Sequence, residues 1–234
     1  MISRLQGSNP YTLIQKIEYI RGTSDHEEHN ANTDLFRLIL EPLVLDAMSF
    51  SSPRVLDFGC GKGRNIQNLL DLGFEGELWG ADISRANIVA CKKRFPTISR
   101  QFLKTNGTDL GELKSENFTA VFSTIVFQHI PVWSIRNQLL SEINRVLITR
   151  GRLYLQMGFG KELVTSEGSP LANYTEEKNE ALGSNGSLDV QIRSREELIS
   201  HLSNLGFQVS KVEITPSFSD KQHSNWIFVV AEKL

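Results

Sequence analysis

The sequence predicts an α/β fold: a doubly wound, mainly parallel sheet with helices on both faces. Three observations predict it. Short apolar runs alternate with amphipathic helical runs from residue 54 to 159, which implies right-handed crossovers onto a covered parallel sheet. The first of those runs ends in "DFGCGKG" (57–63), a cluster of glycines where backbone bends sharply and approaches something. The last two apolar runs are joined by a short polar connection, so they pair antiparallel.

The elements follow in order. "YTLIQKIEYI" (11–20) sets Leu13, Ile14, Ile17 and Ile20 at helical spacing, and 21–34 is polar and rich in turn formers. "LFRLILEPLVLDAM" (35–48) is a second helical pattern, which Pro42 should kink or restart. "RVLDFG" (54–59) is a strand, and 64–73 a helix closing on Gly73. Residues 76–82 form a second strand. The next helix, 84–95, has Ser84 as N-cap and Pro96 after its end. Residues 100–106 read as strand three. "FTAVFSTIV" (118–126) is strand four, apolar enough to be buried on both faces. A helix over 132–148 carries an apolar stripe of Ile135, Leu139, Ile143, Val146 and Leu147, and 151–159 is strand five. A polar break, 160–193, is long enough to be functional. Ser194 and Glu197 then form a capping box for the helix 194–207. Strand-like runs at 207–214 and 225–233 end the chain.

Composition bounds the function. The chain has 234 residues, 40% hydrophobic and 22% charged, as in a globular protein. A net charge of −2 without a basic cluster disfavours nucleic acid as partner. Cys60 and Cys91 make neither a CxxC pair nor a disulfide framework, and no His/Cys cluster suits a metal. With no signal-like or membrane-spanning run, the expectation is a soluble cytoplasmic protein with reduced thiols.

The glycine loop admits few ligands. G-x-G-x-x-G fails, because the sixth position from Gly59 is Arg64 and from Gly61 is Ile66. The Walker pattern fails because Gly63 follows Lys62. Asp57, two residues before Gly59, would repel a pyrophosphate and attract an ammonium group. Amides at the following helix start suit a carboxylate. An amino-acid zwitterion satisfies both, and methionine is the amino-acid part of S-adenosylmethionine.

On these residues the chain resembles the class I (Rossmann-like) S-adenosylmethionine-dependent methyltransferases, from about residue 50 to the end. "VLDFGCGKG" looks like their first motif and "LWGADIS" (78–84) like the second, whose acid, here Asp82, accepts the ribose hydroxyls. "FLKTNGTDL" (102–110) looks like the third, with Asn106 and Gly107 where an acid-small pair reads adenine. "FSTIVFQHIP" (122–131) looks like the segment after strand four. The resemblance implies seven strands with the last antiparallel, and S-adenosylmethionine as cofactor with S-adenosylhomocysteine as product. It implies a cofactor set of Asp57, Gly59, Cys60, Gly61, Gly63, Arg64, Asp82, Ile83, Asn106, Gly107 and Thr124. Arg64 is expected to pair with the methionyl carboxylate or with substrate, or to stand as a solvated arginine on the helix surface.

Methyl transfer from a sulfonium depends on positioning, and a base is needed only for a protonated acceptor such as an alcohol or phenol. His129, just after strand four, is the base candidate. His223, Asp189 and Tyr174 are candidates to line the acceptor pocket. Residues 1–50 are expected to form a helical lid, with Tyr11, Tyr19 or Arg21 reaching in, over a methyltransferase domain spanning 51–234. The insertion 160–193 is expected to set acceptor specificity. Its stretch 173–192 is similar to methyltransferases found with bacterial surface-glycan enzymes, which implies a sugar-like acceptor touching Tyr174 and Asn185. A solvated loop, not a metal site, is expected at His26 and His29. The functional expectation is methylation of a small molecule or saccharide at oxygen. The alternatives are nitrogen methylation of an amine or protein, or a catalytically silent binding subunit.

Overall fold

The computed structural model describes residues 34–162, 171–176, 189–216 and 223–234. Nine strands and five α-helices are seen among them. In chain order they are α1 (Asp34–Ala47), β1 (Arg54–Phe58), α2 (Arg64–Asp71), β2 (Glu77–Asp82), α3 (Arg85–Arg94), β3 (Phe102–Lys104), β4 (Phe118–Thr124), α4 (Trp133–Val146), β5 (Leu147–Phe159), β6 (Ala172–Asn173), β7 (Val190–Gln191), α5 (Arg195–Asn204), β8 (Phe207–Pro216) and β9 (Asn225–Lys233). Seven strands form one sheet in the order β3-β2-β1-β4-β5-β9-β8. Only β9 runs against the rest, antiparallel to both β5 and β8. The expected doubly wound sheet with an antiparallel last strand is therefore present. Among the described residues no helix is long and apolar enough to cross a membrane.

Strand alternation feeds two core layers. Val55, Leu78, Phe122, Tyr154 and Phe228 face one side, where α1, α2 and α3 cover them with Ile39, Leu40, Leu43, Ile66, Leu69 and Ile88. Leu56, Val121, Leu153, Leu155, Ile227 and Val229 face the other, under Ile135, Leu139 and Ile143 of α4 and Leu198 and Leu202 of α5. Every residue of β4 is buried, as its unbroken apolar run requires. The strand order reverses between β1 and β4, and the crevice beyond their carboxyl ends is where such sheets bind ligands.

Local chemistry explains the boundaries. Gly73, at φ +78°, ends α2 with its own amide on Leu70 O and that of Phe74 on Leu69 O, a Schellman cap. Ser84 caps α3 by accepting from Asn87 N. The capping box of α5 forms only by half. Ser194 accepts from Glu197 N, but the Glu197 carboxylate accepts from Thr175 Oγ1 instead.

Four expectations shift. Helix α1 runs through Pro42 without ending. Strand β3 contracts to three residues, because Pro96 starts a 3-10 turn over Pro96–Gln101. Strand β5 begins at Leu147, where the backbone is already extended and pairs with Phe118, so α4 stops at Val146. Within the 160–193 insertion, β6 and β7 pair in parallel, and Ile192 bridges to Phe159 on the main sheet. Tyr11, Tyr19, Arg21, His26, His29 and Asn185 lie outside the described residues.

Helix α1 is part of the core layer: Ile39, Leu40, Leu43 and Ala47 are all buried against the sheet. Replacing Leu43 by Ala should therefore remove about 2–5 kcal/mol of stability. A urea unfolding curve checks this, with a lowered midpoint expected; an unchanged midpoint would mean α1 is separable from the fold.

Candidate functional site

The site is built at the carboxyl ends of β1, β2 and β4. The glycine loop after β1 is held in place by β2: Gly59 N and Cys60 N both donate to Ala81 O. Gly59, Gly61 and Gly63 all have positive φ, at 81°, 54° and 83°. At Gly59 space matters as much as backbone angle. A Cβ there would lie 2.1 Å from Val126 Cγ2, on the turn after β4.

Asp82 ends β2 and clamps this loop. Its Oδ2 accepts from Gly61 N at 2.9 Å, and its Oδ1 accepts from Ser84 N at 2.7 Å. Sequence reasoning gave Asp82 a ribose; its hold on the loop amides went unseen. Ile83 lies beside it, half-buried. Cys60 and Cys91 are buried free thiols close to Gly61 O. The hydrogen bond with Cys91, then burial, pushes the Cys60 thiol well up, so it stays protonated.

Asp57 is buried, and its Oδ2 accepts no hydrogen bond from the protein. Burial raises its carboxyl well above the usual range; the Arg64 charge opposes this and Asp82 adds to it. A buried carboxylate oxygen with an unmade bond, beside a loop that excludes side chains, fits the ammonium end of a zwitterion. Arg64 is near enough to act on Asp57, at the first position of α2. Thr124 closes the crevice from β4, its hydroxyl accepting from Asn65 Nδ2 at 2.9 Å. Asn106 is placed differently from its expected role. Its Oδ1 accepts from Thr108 N, Thr108 Oγ1 and Asp109 N, and its Nδ2 donates to Asp109 Oδ2. That turn, with Gly107 at φ +90°, occupies the oxygen meant for an adenine amino group.

The turn after β4 is strained. Ile125 is β-branched yet has φ +58°, a conformation that costs about 1–3 kcal/mol unless its surroundings hold it. Gln156 of β5 holds it, accepting from Ile125 N at 2.7 Å. Next comes a 3-10 turn, Phe127–His129, whose phenylalanine packs on Phe58.

His129 Nδ1 lies 2.8 Å from Asp189 Oδ1. The carboxylate accepts a hydrogen bond from Nδ1–H, which leaves the basic lone pair on Nε2. Burial alone would lower the His129 pKa, but the charge and hydrogen bond of Asp189 outweigh it, and the net shift is upward. His223 completes the group, with its Nε2 3.9 Å from Asp189 Oδ2. Burial pulls the His223 pKa down to about 4, with Asp189 opposing and His129 assisting, so it is neutral at pH 7. Three candidates chosen separately from sequence thus meet at one point.

Tyr174 does not join them. It is wholly buried, with its hydroxyl 2.8 Å from His201 Nδ1 and its ring edge-on to Trp133. The fully buried Arg136 explains why. It donates to Ile130 O, Tyr174 O and Glu176 O, tying the residue after His129 to the insertion. Sequence reasoning missed Arg136, because an arginine in an amphipathic helix reads as surface. Among the described residues no group of three or more His, Cys, Asp or Glu is arranged to hold a metal.

Residues 56–155 match a family model described as a methyltransferase domain. No curated protein matches the chain. Solved structures with the same fold include a Methanosarcina mazei S-adenosylmethionine-dependent methyltransferase at 17% identity and TM-score 0.62, covering 82% of this chain and 97% of that one. A Mesorhizobium loti S-adenosylmethionine-dependent methyltransferase shares 14% identity at TM-score 0.60, over 83% and 95%. The Burkholderia thailandensis 1,6-didemethyltoxoflavin-N1-methyltransferase, with bound 1,6-didemethyltoxoflavin and S-adenosylhomocysteine, shares 15% identity at TM-score 0.65, over 95% and 88%.

An ammonium seated on Asp57 requires the ionised carboxylate. Because that carboxyl is raised in the free protein, S-adenosylmethionine should bind with release of a proton, and its affinity should fall as pH is lowered. Calorimetry in two buffers of different ionisation enthalpy reads this directly. Asp57→Asn should weaken binding by about 2 kcal/mol or more, roughly 30-fold in Kd; equal affinity would remove Asp57 from the cofactor site.

Proposed function

We propose that this chain, a class I S-adenosylmethionine-dependent methyltransferase, transfers the methyl group to an oxygen of a small-molecule or saccharide acceptor, with His129 as general base. The observation that carries the reading is the His129–Asp189 contact, on the turn after β4 whose Val126 packs on Gly59. The cofactor supplies an electrophilic methyl on a sulfonium. Asp57 is the proposed seat of its ammonium group, with Asp82 and Ile83 at the ribose and Gly59 to Arg64 lining the methionyl end.

His129 then has a defined task. Its Nε2 takes the acceptor's hydroxyl proton while the oxygen's electron pair forms the O–CH3 bond. The positive charge lost at sulfur reappears on the imidazolium. Asp189 is placed to stabilise that charge, and it fixes the tautomer and ring orientation beforehand. A general base of this kind contributes about 10²–10⁴-fold in rate. The residues on 171–176 and 189–193, held by Arg136 and by β6–β7 pairing, are proposed to shape the acceptor side.

Methylation of nitrogen is the second reading, favoured by the similarity to the Burkholderia N1-methyltransferase. An amine already neutral needs no base, and this separates the two. On the oxygen reading, His129→Ala lowers kcat about 10²-fold or more with cofactor Kd unchanged. The active form is the neutral imidazole, so turnover should rise with pH through an inflection above 6.5, the ordinary histidine value. Asp189→Asn removes what raises that pKa and leaves the lowering by burial, so the inflection should move to lower pH. Undiminished turnover in His129→Ala would favour nitrogen, and an unmoved inflection in Asp189→Asn would detach Asp189 from the base.

A further inference from the structure

Two buried polar groups next to the His129–Asp189 pair are left without partners by the protein. The first is Gln128, the residue before His129. It is completely buried, yet neither Oε1 nor Nε2 makes a hydrogen bond. The 3-10 turn that carries it packs against β7, the strand next to Asp189. The second is Nε2 of His223, whose side chain has no exposed surface.

The His223 tautomer follows from its neighbours. Gln191 Nε2 donates to Glu162 O, so Gln191 Oε1 is the acceptor 3.2 Å from His223 Nδ1. The proton therefore sits on Nδ1, and Nε2 is a bare acceptor. It faces Asp189 Oδ2, also an acceptor, at 3.9 Å. Two acceptors cannot satisfy each other, so His223 Nε2 is left needing a donor. The arrangement is built, not incidental. The His223 ring lies so close to Gly158 that a Cβ there would come within 2.3 Å of it, and Trp226 packs on the same ring at 5.4 Å.

Folded proteins leave few buried polar atoms unbonded, because each carries a desolvation penalty. Here Gln128, adjacent to His129 in the 3-10 turn, needs both a donor and an acceptor, and His223, next to Asp189, needs a donor. A hydroxyl is both. We propose that Gln128 and His223 are specificity-determining residues that bind hydroxyl groups of the acceptor other than the reacting one, so that the acceptor is a polyhydroxylated molecule. The inference rests on the oxygen-methylation reading. His129 takes the reacting hydroxyl at Nε2, whereas His223 stands beyond Asp189, on the Nδ1 side of that ring. The second hydroxyl is therefore several atoms removed from the first.

The test uses the full chain loaded with S-adenosylhomocysteine or S-adenosylmethionine. The probes are a panel of methyl hexosides and inositol, set against cyclohexanol and phenol. Gln128→Met keeps the side-chain length and removes both polar atoms. It should raise the unfolding midpoint of the free protein, leave cofactor affinity unchanged, and weaken polyol binding or raise its KM about ten-fold. Cyclohexanol and phenol should be unaffected. His223→Phe, which keeps a ring against Gly158, should weaken polyol binding in the same way. A lowered midpoint with equal losses for both probe classes would make Gln128 structural and overturn the proposal. So would a panel in which no polyol binds, or in which monohydric probes bind as well as polyols. Turnover of phenol without polyol binding overturns this inference and leaves oxygen methylation standing. Selective polyol binding without methyl transfer does the reverse.

Discussion

The site depends on the contact between Gly59 and Val126. The chain leaves β1 through a glycine loop and leaves β4 through a strained turn, and these two exits touch where only a hydrogen fits. Neither could shift alone. Gly59 is pinned by Ala81 O, while Ile125 is kept at positive φ by Gln156. One loop carries the proposed cofactor end of the site and the other carries His129, the proposed base. Close packing at a single α-carbon therefore fixes the two against each other, the kind of positioning on which the proposed methyl transfer would depend.

Charge is distributed to match. On the proposed cofactor side lies the raised, buried carboxyl of Asp57, and Asp82 is already bonded to the amides of Gly61 and Ser84. On the proposed acceptor side Asp189 sits between two histidines and treats them unequally. It raises His129, through a direct hydrogen bond, and leaves His223 neutral at a longer distance. One carboxylate thus supports the proposed base and leaves its neighbour neutral. In the unliganded protein the orphaned atoms of Asp57, Gln128 and His223 are a stability cost that bound molecules would relieve.

The sheet and cofactor loop were legible because their signals are local. Alternating apolar runs located all seven strands of the main sheet, and the spacing of Asp57, Gly59 and Asp82 lies within single strand-loop units. The proposed acceptor side was legible only in pieces. His129 and Asp189 are 60 residues apart, and no spacing rule links them; the pairing of β7 beside the 3-10 turn does. Buried polar residues inside apolar patterns carry no local signal, and Arg136, Gln128 and Gln156 are the cases. The turn at Asn106, by contrast, carries a local signal, since Asn-Gly-Thr-Asp is a turn sequence whose first side chain bonds the following backbone. The start of β5 at Leu147 was hidden by a helical stripe that includes the same leucine.

The central claim is that one rigid junction brings a cofactor seat at Asp57 and a base at His129 to the same reacting methyl. A crystal structure of the complex with S-adenosylhomocysteine tests it most directly. The account predicts the ligand's ammonium within hydrogen-bond distance of Asp57 Oδ2, and its sulfur facing the side of the crevice where His129 stands. A sulfur directed away from His129, or an ammonium held elsewhere with Asp57 Oδ2 still unbonded, would contradict it.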